Sequence, residues 1–151
     1  MPATVRLKDI VDGLEMQFDE MSSYVDTLTG KVHAVTRDEI REAEEEDEEP
    51  DPADEEFSIP WRIYNMDKTI VRLPDKHEIH EWSIMQEFSQ SVENSRIREE
   101  LLNAIHGAGA FRYFKDTVRR HHIEQDWYNF RDAALRQIAI DWCEEKQIPY
   151  A

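Results

Sequence analysis

A long stripe of apolar side chains near the C-terminus limits the possible folds more than any other pattern in these 151 residues. Its members stand three or four positions apart, which is the spacing of one helix face: Ile123, Trp127, Phe130, Ala134, Ile138 and Trp142. Pro149 limits the end of this helix, because proline cannot continue one. At 1.5 Å per residue, roughly 25 residues make a rod about 35 Å long. We therefore predict a single domain, residues 1–151, with this helix as its spine.

Shorter stretches with the same spacing predict further helices. The first covers Val5–Phe18, and a second begins after Asp75, which is a good N-terminal cap with Glu78 three residues on. Two more helices are predicted on either side of the sequence Gly-Ala-Gly at 107–109. The predicted core consists of large side chains from these helices: Trp82, Phe88, Leu101, Phe111, Phe114, Trp127, Phe130 and Trp142.

The N-terminal half also contains β-prone runs. Tyr24–Val25 and Val32–Val35 flank the turn sequence TLTG and predict a β-hairpin. Residues 57–60 and 68–73 are predicted to be extended, and the second of these runs stops at Pro74. The fold class is therefore α+β. A small antiparallel sheet, made of the hairpin and one further strand, is predicted to pack with a mostly helical C-terminal half.

The negative charge of the chain is concentrated in one segment. Asp38–Glu56 holds 13 acidic residues and a single basic one, so it accounts for 12 of the 16 net negative charges. Thr36 and Glu39 have the spacing of a capping box, which predicts a short helix that starts just before the run. Adjacent carboxylates repel and the prolines at 50 and 52 stop a helix, so residues 44–56 are expected to be mobile.

The cysteine count and the distribution of apolar residues bear on the cellular compartment. The single cysteine, Cys143, cannot form an intrachain disulfide and is typical of a reducing compartment. The N-terminus has spaced apolar residues and not the continuous apolar run of a signal peptide. No stretch approaches the roughly 20 apolar residues that a membrane span needs. We therefore expect a cytoplasmic protein without a membrane partner.

A basic segment follows the acidic run at a distance, in the sequence HGAGAFRYFKDTVRRHH at 106–122. It carries a net charge of +3 from Gly107 to His122 when the histidines are neutral. The glycines favour a tight corner between two helices, since glycine adopts left-handed backbone angles easily. They also allow an anion site at a helix N-terminus. The candidate ligand-binding residues of that second interpretation are Gly107, Gly109, Arg112, Lys115, Arg119 and Arg131.

The sequence offers no complete catalytic set. In HEIHEW, His77 and His80 are spaced for one helix face, but the zinc-protease pattern needs a second histidine at the position of Glu81. A solvated helix face explains the same residues. Cys143 follows Trp142 on a helix, which is typical of a buried structural thiol. We predict no catalytic residue, no metal site and no cofactor.

Several segments resemble an uncharacterised bacterial protein family of the UPF type. The most specific is GAFRYFKD, followed by WYNFR and by IAIDWCEE with its DWCEE core. LKDIVDGLEMQ, YVDTLTGKV and LPDKHEIHEWSIMQEF are similar to the family as well, so the resemblance covers most of the chain apart from the acidic run. Membership in such a family implies neither an activity nor catalytic residues.

Three functional hypotheses remain open at this point. The first is a non-enzymatic intracellular adaptor that binds another protein through its acidic segment. The second is a nucleic-acid or nucleotide binder that uses the basic face at 112–120 together with Arg131. The third is a metal-dependent hydrolase that uses His77 and His80. We favour the first, because the catalytic sets are incomplete and an acidic segment suits a basic partner.

Overall fold

The computed structural model describes residues 2–151, which divide into two compact units. The sheet unit consists of the described residues up to Glu78 together with Arg136–Ala151, and the helical unit is Ile79–Leu135. The single-domain organisation stays a prediction, because compactness does not decide whether two units unfold in one transition.

The sheet unit contains three antiparallel strands. These are β1 (Met21–Asp26), β2 (Lys31–Thr36) and β3 (Ile70–Arg72), in the order β2-β1-β3. The predicted hairpin is β1 and β2, with Val25 opposite Val32, and the predicted further strand is β3, with Val25 opposite Val71. The α+β class predicted from the sequence is therefore confirmed.

Helix α1 (Leu7–Met16) packs on this sheet and buries Leu7, Ile10 and Leu14. A glycine stands inside this helix because position 13 lies very close to other side chains of the sheet unit. A Cβ at that position would stand 2.9 Å from Val32 Cγ1 and 3.0 Å from a Leu73 methyl carbon, closer than such atoms normally approach. The glycine therefore lets the helix lie directly against the strands.

Two helices flank residues 45–54, the middle part of the acidic run. Helix α2 (Arg37–Glu44) begins with the predicted capping box, in which the Thr36 hydroxyl accepts from the Glu39 amide at 3.1 Å. Helix α3 (Glu55–Tyr64) corrects the expectation that residues 57–60 are extended. This helix buries Ile59 and Pro60 and packs against α2. The packing outweighs the local preference of the sequence for an extended backbone.

The helical unit begins at Ile79, directly before a break in a helix that the sequence predicts to be continuous. Helix α4 (Lys76–Ile79) is capped as expected, since the Glu78 amide donates to Asp75 at 2.9 Å. His80 then has a left-handed φ of +54°, and α5 (Glu81–Ser91) starts beyond it. Helices α6 (Ser95–Ala104) and α7 (Ala110–Arg120) follow. Helix α8 (Glu124–Lys146) begins in the helical unit and ends in the sheet unit.

The core of the helical unit is aromatic. Phe88, Phe114 and Trp127 are buried and meet edge to face, with ring centres 4.8 Å apart for Phe114 and Trp127. Among the other predicted core residues of this unit, Leu101 is buried and Phe130 is half-buried, while the predicted core residue Trp142 is buried in the sheet unit.

Two core predictions are wrong. Trp82 is 39% exposed and Phe111 is 47% exposed. Both stand in the first turn of a helix. Periodicity alone predicts their helix face but not this position near the helix end.

Candidate functional site

The Gly-Ala-Gly sequence forms the corner between α6 and α7. Gly107 has φ +86° and Gly109 has φ +76°, so both adopt the left-handed conformation that favours glycine. Gly109 directly precedes α7, and a Cβ on it would stand 3.3 Å from the Tyr113 ring. The predicted tight corner is therefore present at this point.

A cationic cleft of about 500 Å³ lies in the helical unit, towards the other end of α7. Helix α7 contributes Lys115 and Arg119, and the start of α8 contributes Arg131. These are three of the six ligand-binding candidates predicted from the sequence. The remaining residues that line the cationic cleft are Glu81, Val118, Glu124, Trp127 and Tyr128.

The three cations of the cleft differ in their partners. Arg131 Nε donates to Glu81 Oε1 at 2.7 Å, so this arginine is held against α5. Lys115 and Arg119 are exposed, and within residues 2–151 no carboxylate forms an ion pair with either. Arg120, the next residue, is paired with Glu100 at 2.9 Å. The cleft therefore contains two neighbouring positive charges that form no ion pair with a carboxylate of the described residues.

One carboxylate of the cleft has an unsatisfied oxygen. Glu124 Oε1 is buried and has no hydrogen-bond partner among the described residues. The residue opens α8, where the helix dipole favours a negative charge. Beside it, Trp127 is buried in the aromatic core, whereas the Tyr128 ring is 56% exposed. The cleft thus combines two cations, one free acceptor and one accessible aromatic ring.

The other three candidates do not line the cationic cleft. Gly107 and Gly109 belong to the α6–α7 corner, and Arg112 lies in the first turn of α7 with its guanidinium carbon 5.7 Å from the centre of the Tyr113 ring. Sequence reasoning missed Glu81, Glu124 and Tyr128. A signal for Tyr128 was available, because it precedes Arg131 by three positions and therefore shares its helix face.

An acidic groove of about 530 Å³ lies in the sheet unit between α2, the acidic run and α3. Among the residues lining it there is no lysine or arginine, and eight are acidic: Glu39, Glu42, Glu46, Glu48, Glu49, Asp51, Asp54 and Glu56. Ala43, Pro50, Phe57 and Pro60 supply apolar surface, and the Phe57 side chain is 55% exposed. The acidic groove therefore pairs a strong negative charge with an accessible aromatic side chain.

Local hydrogen bonds shape the acidic run. The Asp51 side chain accepts from the Ala53 amide at 3.0 Å, and the Asp54 amide donates to the Asp51 carbonyl at 2.9 Å. The Ser58 amide then donates to the Asp54 carbonyl at 2.8 Å, where α3 begins. Residues 55 and 56 belong to α3, and the mobility of the segment 44–56 stays a prediction.

The comparisons with known proteins bear on the family. The whole sequence, residues 1–151, matches the uncharacterised protein family UPF0158. The chain belongs to this family. It is 25% identical over 148 residues to the UPF0158 protein PA5073 of Pseudomonas aeruginosa. The matched stretch covers 97% of this chain and 86% of the relative. No solved structure matches this UPF0158 chain significantly. The family resemblance found in the sequence is confirmed.

The histidines and the cysteine considered in the sequence of this UPF0158 chain do not come together as a metal site within residues 2–151. His77 lies in α4 but His80 follows the helix with a left-handed φ, so the two do not continue along one helix as their spacing predicts. Across residues 2–151, His, Cys, Asp and Glu side chains form no group of three that could hold a metal ion. Burial raises the pKa of the Cys143 thiol to about 11, so it is protonated at neutral pH. Over the same residues, every helix is too short or too polar to cross a membrane.

Proposed function

We propose that this protein is a non-enzymatic binding protein whose acidic groove receives a basic segment of another protein. The observation that carries the proposal is the composition of the groove, which is lined by eight carboxylates around the exposed Phe57. Negative charge attracts a basic partner, and a neighbouring apolar surface adds a contact that simple counter-ions cannot make.

The groove defines the chemistry of its partner. A lysine- or arginine-rich segment with an apolar side chain among its basic residues matches both features of the lining. The apolar side chain would contact Phe57, while the basic groups would approach carboxylates on α2 and on the acidic run. Charge acts over only about 8 Å at physiological ionic strength, so binding requires the segment to enter the groove.

A peptide titration tests this proposal. The probe is a twelve-residue Lys/Arg-rich peptide with a central leucine. Its binding is measured by calorimetry at two salt concentrations. We expect saturable binding that weakens as salt rises. Replacing Glu46, Glu48 and Glu49 by glutamine is expected to weaken binding at least tenfold.

A matched control separates the groove from the overall charge. Glu87, Glu93 and Glu99 are exposed residues of the helical unit, and replacing them by glutamine removes the same three charges. This control is expected to bind the peptide as the wild type does. Equal losses in both triple variants, or no saturable binding by the wild type, would contradict the proposal.

A second variant tests the apolar contact. Phe57→Ala is expected to weaken binding of the leucine-containing peptide severalfold, because the exposed ring is lost. The same variant should not change binding of a peptide with glycine in place of leucine. An equal effect on both peptides would show that Phe57 acts on the fold of α3 and not on the ligand.

A further inference from the structure

We propose that the cationic cleft binds a free nucleoside phosphate. In this arrangement Lys115 and Arg119 hold the phosphate group, Glu124 accepts a hydrogen bond from an N–H or O–H of the nucleoside, and Tyr128 lies beside the base. The cleft lies in the helical unit and is independent of the acidic groove and of the function proposed for it.

The phosphate half of the site rests on the two cations that form no ion pair within residues 2–151. Lys115 and Arg119 are four residues apart on α7, so their side chains project side by side. Like charges in this relation repel, and an anion between them relieves the repulsion. Arginine also matches the geometry of phosphate oxygens with two parallel N–H donors, and lysine adds a compact charge.

The nucleoside half rests on the acceptor and the ring. Glu124 Oε1 is buried without a partner in the described part of the chain, whereas buried polar atoms are nearly always hydrogen-bonded. A ligand that brings an N–H or O–H donor would satisfy this oxygen, and a nucleoside offers such donors on both its sugar and its base. The exposed ring of Tyr128 offers a flat surface on which a base can stack.

The charge balance of the cleft favours a small ligand over a nucleic-acid strand. Its lining contains three basic residues and two acidic ones, and Arg131 is already bound to Glu81. Strand binding depends on contacts to several successive phosphates. A single phosphate group needs only Lys115 and Arg119. The cleft volume of about 500 Å³ is also within the range of small-molecule sites.

Calorimetric titration of the full chain tests the proposal. The probes are the four ribonucleoside monophosphates, the four triphosphates, inorganic phosphate and a ten-nucleotide single-stranded RNA. We expect saturable binding of at least one nucleotide, at least tenfold tighter than that of inorganic phosphate. Lys115→Gln with Arg119→Gln is expected to weaken that binding at least tenfold. Circular dichroism and thermal unfolding verify that each variant is folded.

The control is Lys68→Gln with Arg112→Gln. It removes the same two charge types from exposed positions outside the cleft, and Arg112 belongs to the same helix. Binding by this control is expected to equal that of the wild type. If it weakens as much as the cleft variant, nucleotide binding is a property of the basic surface in general and the proposed site is wrong.

Glu124→Gln separates the two halves of the site. It removes the carboxylate charge, so phosphate binding is expected to stay equal or to tighten, while nucleotide binding weakens severalfold as the charged acceptor is lost. Equal changes for both ligands would overturn the assigned role of Glu124. Failure of every nucleotide to bind, or saturable binding of the RNA alone, would overturn the proposal itself. Neither result would affect the peptide titration of the acidic groove.

Discussion

Arg62 in the sheet unit and Arg119 in the helical unit are the same side chain in opposite surroundings. Arg62 is 15% exposed and donates to Asp26, Asp67 and Thr69. Arg119 is exposed, and no ion-pair partner stands beside it in the described residues. The comparison teaches that a charge surrounded by partners holds a fold together, whereas an unpartnered charge beside a cavity is available to a ligand.

The network around Arg62 ties the end of the hairpin to the loop before β3. Its guanidinium donates to the Asp26 carboxylate at 3.0 and 3.2 Å and to Asp67 at 2.9 Å. Burial opposes the ionisation of Asp26, but the bonds from Arg62 and from the Leu28 amide outweigh it and keep its pKa below the usual value. The charges of this network are therefore used inside the sheet unit.

In the helical unit the aromatic side chains fill the interior and the cations remain outside. Phe88 is in contact with Phe114, Trp127 and Phe130, with ring centres between 5.4 and 6.2 Å apart. Lys115 and Arg119 stand on the same helix as Phe114 but on its solvent side. They contribute no internal bond there, so the stability of this unit should depend on the rings and not on the charges.

The largest expected effect is that of Phe114→Ala. This ring is fully buried between Phe88 and Trp127, and removing it leaves a cavity in the aromatic core. We expect the free energy of unfolding to fall by about 4 kcal/mol. Phe111→Ala on the same helix is the matched control, with an expected loss below about 1 kcal/mol, since its ring is 47% exposed. Urea denaturation measures both, and equal losses would contradict the division of α7 into core and solvent faces.

This pair of phenylalanines also shows how far sequence reasoning reaches. Apolar spacing predicts α7, α8 and the buried face that carries Phe114 and Trp127, because a helix repeats every 3.6 residues. It assigns Phe111 to the same face but does not predict that this ring, in the first turn of α7, is 47% exposed. It also misses the left-handed His80, because no glycine or proline marks that break in the sequence.

The next largest effect is expected from Arg62→Ala. The substitution leaves Asp26, whose side chain is 4% exposed, without its counter-charge. We expect a loss of about 3 kcal/mol in the free energy of unfolding, measured by urea denaturation. Arg41→Ala is the control. It removes an arginine that is 74% exposed and paired at 3.5 Å, and should cost under about 0.5 kcal/mol. A small loss for Arg62→Ala would refute the structural role of the network.

The stability of the sheet unit should decline at low pH. Hydrogen bonds from the Thr69 hydroxyl and amide and from Arg62 lower the pKa of Asp67 to about 2, against the effect of burial. A lowered folded pKa gives stability that is complete above the unfolded value near 4 and is lost as the pH falls towards 2.

The measurement compares wild type and Asp67→Asn in urea at pH 5 and at pH 2.5. Because Asp67 is 34% exposed, we expect an advantage of about 1 kcal/mol for the wild type at pH 5. The advantage should shrink at the lower pH, where Asp67 begins to take up a proton. An advantage that stays constant between the two pH values would show that its ionisation does not support the fold.

The candidate sites are less predictable from sequence than the fold. The basic run predicts Lys115 and Arg119 as cations on one helix, whereas Arg131 lies in a separate segment of the sequence. Only the geometry of α5, α7 and α8 brings them together with Glu81 and excludes Arg112. The acidic groove could not be predicted for a different reason. Its aromatic residue, Phe57, lies in a helix, whereas the sequence pattern predicts an extended segment there.

The smallest expected effect is a gain in stability from Lys115→Gln. Because Lys115 and Arg119 repel each other four residues apart, removing one charge should raise the free energy of unfolding by about 0.3 kcal/mol at low salt. Lys68→Gln changes the net charge equally at an exposed position of the sheet unit and serves as the reference. The difference between the two variants should vanish in 1 M salt, where charges act over only about 3 Å. A loss of stability in Lys115→Gln alone would mean that this lysine supports the fold as Arg62 does, and the contrast between the two units would fail at that residue.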